Sequence, residues 1–165
     1  MTQSALSKKI LGIDPGLLNT GWGIIESNGN NISYIASGHI STDKKLPLSQ
    51  RLMQINQGLA AVLDFYQLDE AALEETFVNK NALSSLKLGH ARGAAMMTIS
   101  LAGLNVSEYS ATRVKKSITG VGRAEKEQMM MMIKVLLPAS NVKIHDEADA
   151  LAVAICHANY ASLGG

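Results

Sequence analysis

The sequence predicts an α/β fold with a mixed central sheet of about five strands flanked by helices. Three observations predict it: β-rich runs separated by turn residues open the chain, long one-sided apolar helices follow, and short strands alternate with those helices. The chain has 165 residues, 47% of them hydrophobic, which is enough to bury one core. We therefore expect a single domain over residues 1–165, with a short flexible extension at residues 1–7.

The first three strands are marked by the turns between them. The apolar run KKILGID stops at Pro15-Gly16, and Asn28-Gly29-Asn30 separates the β-rich runs at residues 20–26 and 31–40. Because Gly, Pro and Asn favour turns, these runs are predicted to be three consecutive antiparallel strands. Two further short strands are predicted at residues 71–76 and 105–109.

The helices are predicted from apolar residues that recur every three or four positions. Leu52, Ile55 and Leu59 share one face of a helix predicted at residues 48–67, after Pro47. The other helices are predicted at residues 82–101, 111–118, 124–137 and 146–161. The resulting element order is β-β-β-α-β-α-β-α-α-α.

The near-zero net charge conceals a split along the chain. There are 15 Lys+Arg and 14 Asp+Glu in total, but residues 77–143 hold ten basic side chains against three acidic ones. Such a basic segment suits contact with an anionic polymer. A solvated charged surface explains the charge alone equally well.

Composition excludes several classes of protein. No apolar run is long enough for a membrane span, and the N-terminal residues lack the apolar core of a signal peptide. The single cysteine, Cys156, has no partner in the chain for a disulfide. We therefore expect a cytoplasmic location.

Four acidic positions could share one edge of the predicted sheet. Asp14 ends the first strand, Glu74 or Glu75 lies near the end of the fourth, and Asp146 and Asp149 begin the last helix. Such oxygen ligands suit a hard divalent cation. Each acid also has an ordinary explanation, because Asp14 opens a good turn sequence and carboxylates in a first helical turn stabilise the helix dipole.

Several motifs run in order along the chain from residue 10 to about residue 157. They are ILGIDPG at 10–16 with TG at 20–21, ALEETF at 72–77, KNALSSLKLGHARG at 80–93, VKKSITGVG at 114–122, AEK at 124–126 and ADALAVA at 148–154. Together they closely resemble the RuvC family of Holliday-junction resolvases. The resemblance implies an RNase H-like fold, a homodimer, and Mg²⁺-dependent paired nicking of four-way DNA junctions in recombination and repair.

The resemblance implies that Asp14, Glu74, Asp146 and Asp149 are the catalytic, metal-binding acids. It favours Glu74 over Glu75, because the family's acid lies two residues before the Thr-Phe pair. It further implies two Mg²⁺ ions per site, for which Mn²⁺ can substitute. One ion would activate a water and the other would stabilise the leaving 3′ oxygen.

The resemblance also implies how DNA and protein partners are bound. Lys115 and Lys126 match family lysines that hold phosphates, while Phe77 and Lys80 match a loop that reaches the strand-exchange point. Phe77 could stack on an unpaired base or could be an ordinary core residue. The helix at residues 82–101 matches the family's dimer contact, and the RuvA and RuvB branch-migration proteins are implied as partners.

Two other functions compete with a resolvase. One is an ATP-binding domain of the actin or sugar-kinase type, but such proteins need two domains and this chain has room for one. The other is a junction-binding module without catalysis, or an RNase H-like relative that acts on another nucleic acid. The presence of all four acids argues against a non-catalytic binder.

Overall fold

A computed structural model of the chain describes residues 6–75 and 80–161. Five strands form one sheet in the order β3-β2-β1-β4-β5. The strands are β1 (Lys8–Asp14), β2 (Asn19–Asn28), β3 (Asn31–Ser41), β4 (Glu70–Glu74) and β5 (Val106–Tyr109). β1, β2 and β3 are antiparallel, whereas β4 runs parallel to both β1 and β5. The predicted mixed sheet with three antiparallel N-terminal strands is therefore confirmed.

The five predicted helices are also present, in the predicted order. They are α1 (Leu48–Phe65), α2 (Ala82–Leu101), α3 (Ala111–Thr119), α4 (Lys126–Leu136) and α5 (His145–Ala161). A short 3₁₀ turn at Pro138–Ser140, which was not predicted, follows α4. Within the described residues, no helix has the length and hydropathy needed to cross a membrane.

Four predicted boundaries were wrong by two residues: α1 ends at Phe65 rather than 67, β2 ends at Asn28 rather than 26, and the other two are the start of the fourth helix and the end of the fourth strand. The fourth helix was predicted from residue 124, but Ala124 is buried outside the helix and Glu125 keeps an extended backbone as the N-cap. The fourth strand was predicted to reach residue 76, but it ends at Glu74. Residue 76 itself lies outside the described residues.

The last helix, α5, is the centre of the fold. It packs on β1 and β2 with one side and on α3 and α4 with the other. Every residue from Ala150 to Ala158 is buried. The sequence predicts one apolar face for this helix, but its buried surface is wider than one face. A helix that is covered on two sides has almost no face exposed to solvent.

The alternation of side chains along the strands directs two acids toward α5. On β1, Leu11 and Ile13 pack in the core beneath α1 and α2, whereas Ile10 packs in the core that contains α5. Asp14 shares a sheet face with Ile10, because side chains two residues apart point the same way. On β4, Ala72 belongs to the α5 core and Glu74 follows two residues later.

The contact between α5 and the sheet requires glycine at position 12. A Cβ atom at Gly12 would lie 2.0 Å from the carbonyl oxygen of Ala150 and 2.6 Å from the backbone nitrogen of Ala154. Backbone atoms of a packed helix cannot move aside, so a methyl group here must push α5 off the sheet.

Replacing Gly12 with alanine is therefore expected to destabilise the fold by about 3 kcal/mol or more. Thermal denaturation followed by circular dichroism measures the loss. Gly89→Ala is the matched control, because a Cβ at this exposed position of α2 meets nothing within 4 Å. That variant should be unchanged or more stable by about 1 kcal/mol. A wild-type melting temperature for Gly12→Ala would contradict the close packing.

Candidate active site

Three elements bring acidic residues to one edge of the sheet. Asp14 is the last residue of β1 and Glu74 is the last residue of β4, and the two strands run parallel. Asp14 pairs with Gly21 of β2, and a Cβ at Gly21 would lie 2.1 Å from the carbonyl oxygen of Asp146. The first turn of α5 therefore lies directly on the strand end that carries Asp14.

The electrostatics place Asp14 at the centre of this group. Burial and, after it, the neighbouring carboxylates of Asp149, Glu74 and Asp146 raise the pKa of Asp14 to about 8, against the opposing charge of Lys126. An acid perturbed by three other carboxylates must lie among them, because like charges interact strongly only at short range. We refer to Asp14, Glu74, Asp146 and Asp149 as the carboxylate cluster.

Two other members of the carboxylate cluster are perturbed in the same direction. Burial, with Asp149 adding to it, raises the pKa of Glu74 to about 7, and Lys115 opposes the shift. Burial also raises the pKa of Asp149, against the opposing charge of Lys126. The cluster is thus a partly buried group of acids that resist ionising together.

The carboxylate cluster opens into a cleft between helices. Glu74 and Asp149 line this cleft together with Lys115 of α3 and Lys126 of α4. Its remaining wall is largely apolar: Ala111, Val114, Ala124, Met129 and Ala152. Two lysines beside two carboxylates suit a ligand that carries negative charge and is bound through cations.

The carboxylate cluster suits a metal ion that shares its ligands with substrate. In the part of the chain that the structure describes, no three His, Cys, Asp or Glu side chains are grouped closely enough to form a metal cage. A hard cation such as Mg²⁺ needs only one or two carboxylates, with water and phosphate oxygens completing its shell. Since a bound dication also relieves the repulsion among the acids, the residues present fit such an ion.

The structure brings together six of the eight residues that the sequence pointed to. These are the four members of the carboxylate cluster with Lys115 and Lys126. Lys80 is described and exposed, directly before α2, and the described lining of the cleft does not include it. Phe77 lies outside the described residues. Of the two adjacent glutamates, Glu75 is exposed, whereas Glu74 lines the cleft.

One contact at this edge was not predicted from the sequence. Glu147, between two members of the carboxylate cluster, accepts a hydrogen bond from the hydroxyl of Ser37 on β3 at 2.9 Å. The two residues are 110 positions apart, so no local pattern signals their pairing.

The sheet order, with acids at the ends of β1 and β4, is that of an RNase H-like domain. The family model described as crossover junction endodeoxyribonuclease RuvC matches residues 10–157. The chain therefore belongs to the RuvC family.

Individual relatives agree with this assignment. The crossover junction endodeoxyribonuclease RuvC of Rhizobium johnstonii is 54% identical over 151 residues, which cover 92% of this chain and 89% of the relative. The RuvC of Sinorhizobium medicae is 55% identical, covering 92% of this chain and 90% of that protein. The structure of Thermus thermophilus RuvC in complex with a Holliday junction substrate has a TM-score of 0.88 and 30% identity, covering 95% and 96% of the two chains.

The raised pKa values predict how stability depends on pH without metal. Asp14 and Glu74 hold their protons to a higher pH in the folded than in the unfolded chain. Between pH ~4 and ~8 the folded state thus binds more protons, and the free energy of unfolding contributed by these groups falls as pH rises. In EDTA, the melting temperature of Asp14→Asn should therefore fall less from pH 5.5 to pH 8.5 than that of the wild type.

The control for this experiment is Asp64→Asn, which changes an exposed carboxylate of α1. Its melting temperature should follow the wild-type curve. If Asp14→Asn also follows that curve at every pH, burial and repulsion do not raise the pKa of Asp14.

Proposed function

We propose that this chain is a structure-selective endonuclease that resolves four-way DNA junctions by paired, symmetric, Mg²⁺-dependent nicking. The observation that carries the proposal is the carboxylate cluster beside Lys115 and Lys126, in a member of the RuvC family. The similarity to a RuvC bound to a Holliday junction supports junction DNA as the substrate. Homologous recombination and DNA repair are the processes that such an activity serves.

We propose that the carboxylate cluster holds two Mg²⁺ ions, for which Mn²⁺ can substitute. When bound, such ions activate a water for attack on the scissile phosphorus and stabilise the leaving 3′ oxygen. The products are 5′-phosphate and 3′-hydroxyl ends. Asp14 and Glu74 would hold the ions from the ends of β1 and β4, and Asp146 and Asp149 would hold them from the first turn of α5.

In this proposal the lysines position the DNA. Lys115 and Lys126 line the cleft that Glu74 and Asp149 share, so a phosphate held by either ammonium group lies beside the carboxylate cluster. Phosphate contacts of this kind supply affinity and register without reading the base sequence. Phe77 and Lys80 are proposed to reach the strand-exchange point, Phe77 by stacking on an unpaired base.

Paired cutting requires two copies of this chain, since one chain carries one carboxylate cluster. Large apolar residues on the outer surface support a homodimer through α2, where Leu83 is 61% exposed, Leu86 58% and Met97 57%. Met97 also lines an apolar groove between α1 and α2 with Gly93, whose missing side chain permits close approach of a second helix. RuvA and RuvB are proposed partners through the family, and the cytoplasm is the proposed compartment.

The direct test compares three substrates with the purified chain: a synthetic four-way junction, a linear duplex of the same sequence and an RNA–DNA hybrid. Each is incubated with and without Mg²⁺. We expect symmetric nicks in the junction alone, and only with metal. Cleavage of the hybrid, or ATP hydrolysis, would refute the proposal.

Substitutions in the carboxylate cluster should separate cutting from binding. Asp14→Asn and Glu74→Gln are expected to slow junction cleavage by about 1,000-fold or more while retaining junction binding, because each removes a charge that holds metal. Single-turnover cleavage and gel-shift titration measure the two effects. Glu75→Gln is the matched control and should cleave normally, since Glu75 is exposed outside the described cleft lining. Loss of junction binding in Asp14→Asn would show instead that Asp14 is needed for folding, which contradicts a purely catalytic role.

The lysine of α4 is tested through the salt dependence of binding. Lys126→Ala should weaken junction binding and make the negative slope of log K against log salt shallower by about one, because one phosphate contact is lost. Lys134→Ala is the control, as Lys134 is exposed two turns further along the same helix. Equal slopes for the wild type and Lys126→Ala would remove Lys126 from the interface.

A further inference from the structure

Glu147 differs from its acidic neighbours in the first turn of α5. Its side chain is only 17% exposed and reaches the edge strand β3. There the hydroxyl of Ser37 donates a hydrogen bond to Oε2 at 2.9 Å, and Nδ1 of His39 lies 3.5 Å from Oε1. Both carboxylate oxygens of Glu147 are thus directed at β3.

The partners of Glu147 are themselves well placed to hold it. Ser37 and His39 are two residues apart on β3, so their side chains lie on the same face of the sheet. The hydroxyl of Ser37 is also 3.2 Å from that of Tyr34, which packs against the α5 core. The first turn of α5 is therefore tied to the sheet on the side remote from β4.

These contacts of Glu147 oppose the electrostatic repulsion within the carboxylate cluster. Asp146 and Asp149 flank Glu147, and their carboxylates repel those of Asp14 and Glu74 across the strand ends. Repulsion drives the first turn of α5 away from β1 and β4, and helix ends fray readily. A partly buried hydrogen bond from the same turn to β3 resists that movement.

We propose that Glu147 is a positioning residue that holds the first turn of α5, so that Asp146 and Asp149 face Asp14 and Glu74 at the spacing metal ions require. This role rests on the proposed function. Glu147 contacts neither metal nor DNA in this account. It acts through the helix that carries two of the metal-binding acids.

The test measures Mn²⁺ binding to the full chain by isothermal titration calorimetry, which needs no cleavage. Glu147→Ala should weaken Mn²⁺ binding about tenfold, the effect typical of losing a group that supports metal ligands. Ser37→Ala should produce a similar loss, and the double variant should lose no more than the larger single one. Glu147→Gln keeps an oxygen that accepts the Ser37 hydrogen bond and should bind Mn²⁺ close to normally.

Glu127→Ala is the control for charge. It removes one exposed carboxylate from the first turn of α4, which also borders the cleft, and should leave Mn²⁺ binding unchanged. Wild-type affinity in both Glu147→Ala and Ser37→Ala would overturn the positioning role, as would an equal loss in Glu127→Ala. A wild-type chain that binds no Mn²⁺ would overturn the proposed function and this role with it. If Glu147→Ala fails to fold, Ser37→Ala and Glu147→Gln decide the question.

Discussion

The close contact between α5 and the first two strands is the constraint on which the site depends. Gly12 and Gly21 leave room for backbone atoms of α5 that any side chain would displace. This contact brings the helix start onto the end of β1, so Asp146 and Asp149 lie beside Asp14 although more than 130 residues separate them in sequence. The parallel pairing of β4 with β1 then adds Glu74.

The same contact makes the site electrostatically unfavourable by itself. Burial and mutual repulsion raise the pKa of Asp14 to about 8 and that of Glu74 to about 7, so these acids resist ionising together. Lys115 and Lys126 offset only part of this cost. A divalent cation offsets it directly, and a phosphate can then approach a site that would otherwise repel it. In the proposed function, metal and DNA binding are thus coupled through the carboxylate cluster.

Local patterns predicted most of the fold, whereas contacts between distant residues were beyond them. The bounds of α2 were predicted correctly, and in the structure Asn81 caps the helix by accepting a hydrogen bond from the backbone N–H of Ser84. The sequence places the four acids at the ends of two strands and at the start of the last helix. Whether they lie close together depends on how α5 packs against the sheet. His157 forms hydrogen bonds with Tyr109 and Glu70, which are 48 and 87 residues away. Neither hydrophobic periodicity nor a turn motif in the sequence indicates such pairs of distant residues.

The central claim is that the carboxylate cluster is a cation site in which Asp14 and Glu74 hold protons until metal displaces them. Calorimetric titration of Mn²⁺ at pH 7, in buffers of different ionisation enthalpy, measures the protons released. With the pKa of Asp14 at about 8 and that of Glu74 at about 7, we expect release of about one to one and a half protons per chain at pH 7 and much less at pH ~8.5. Binding heats at pH 7 that do not depend on the buffer would contradict the claim.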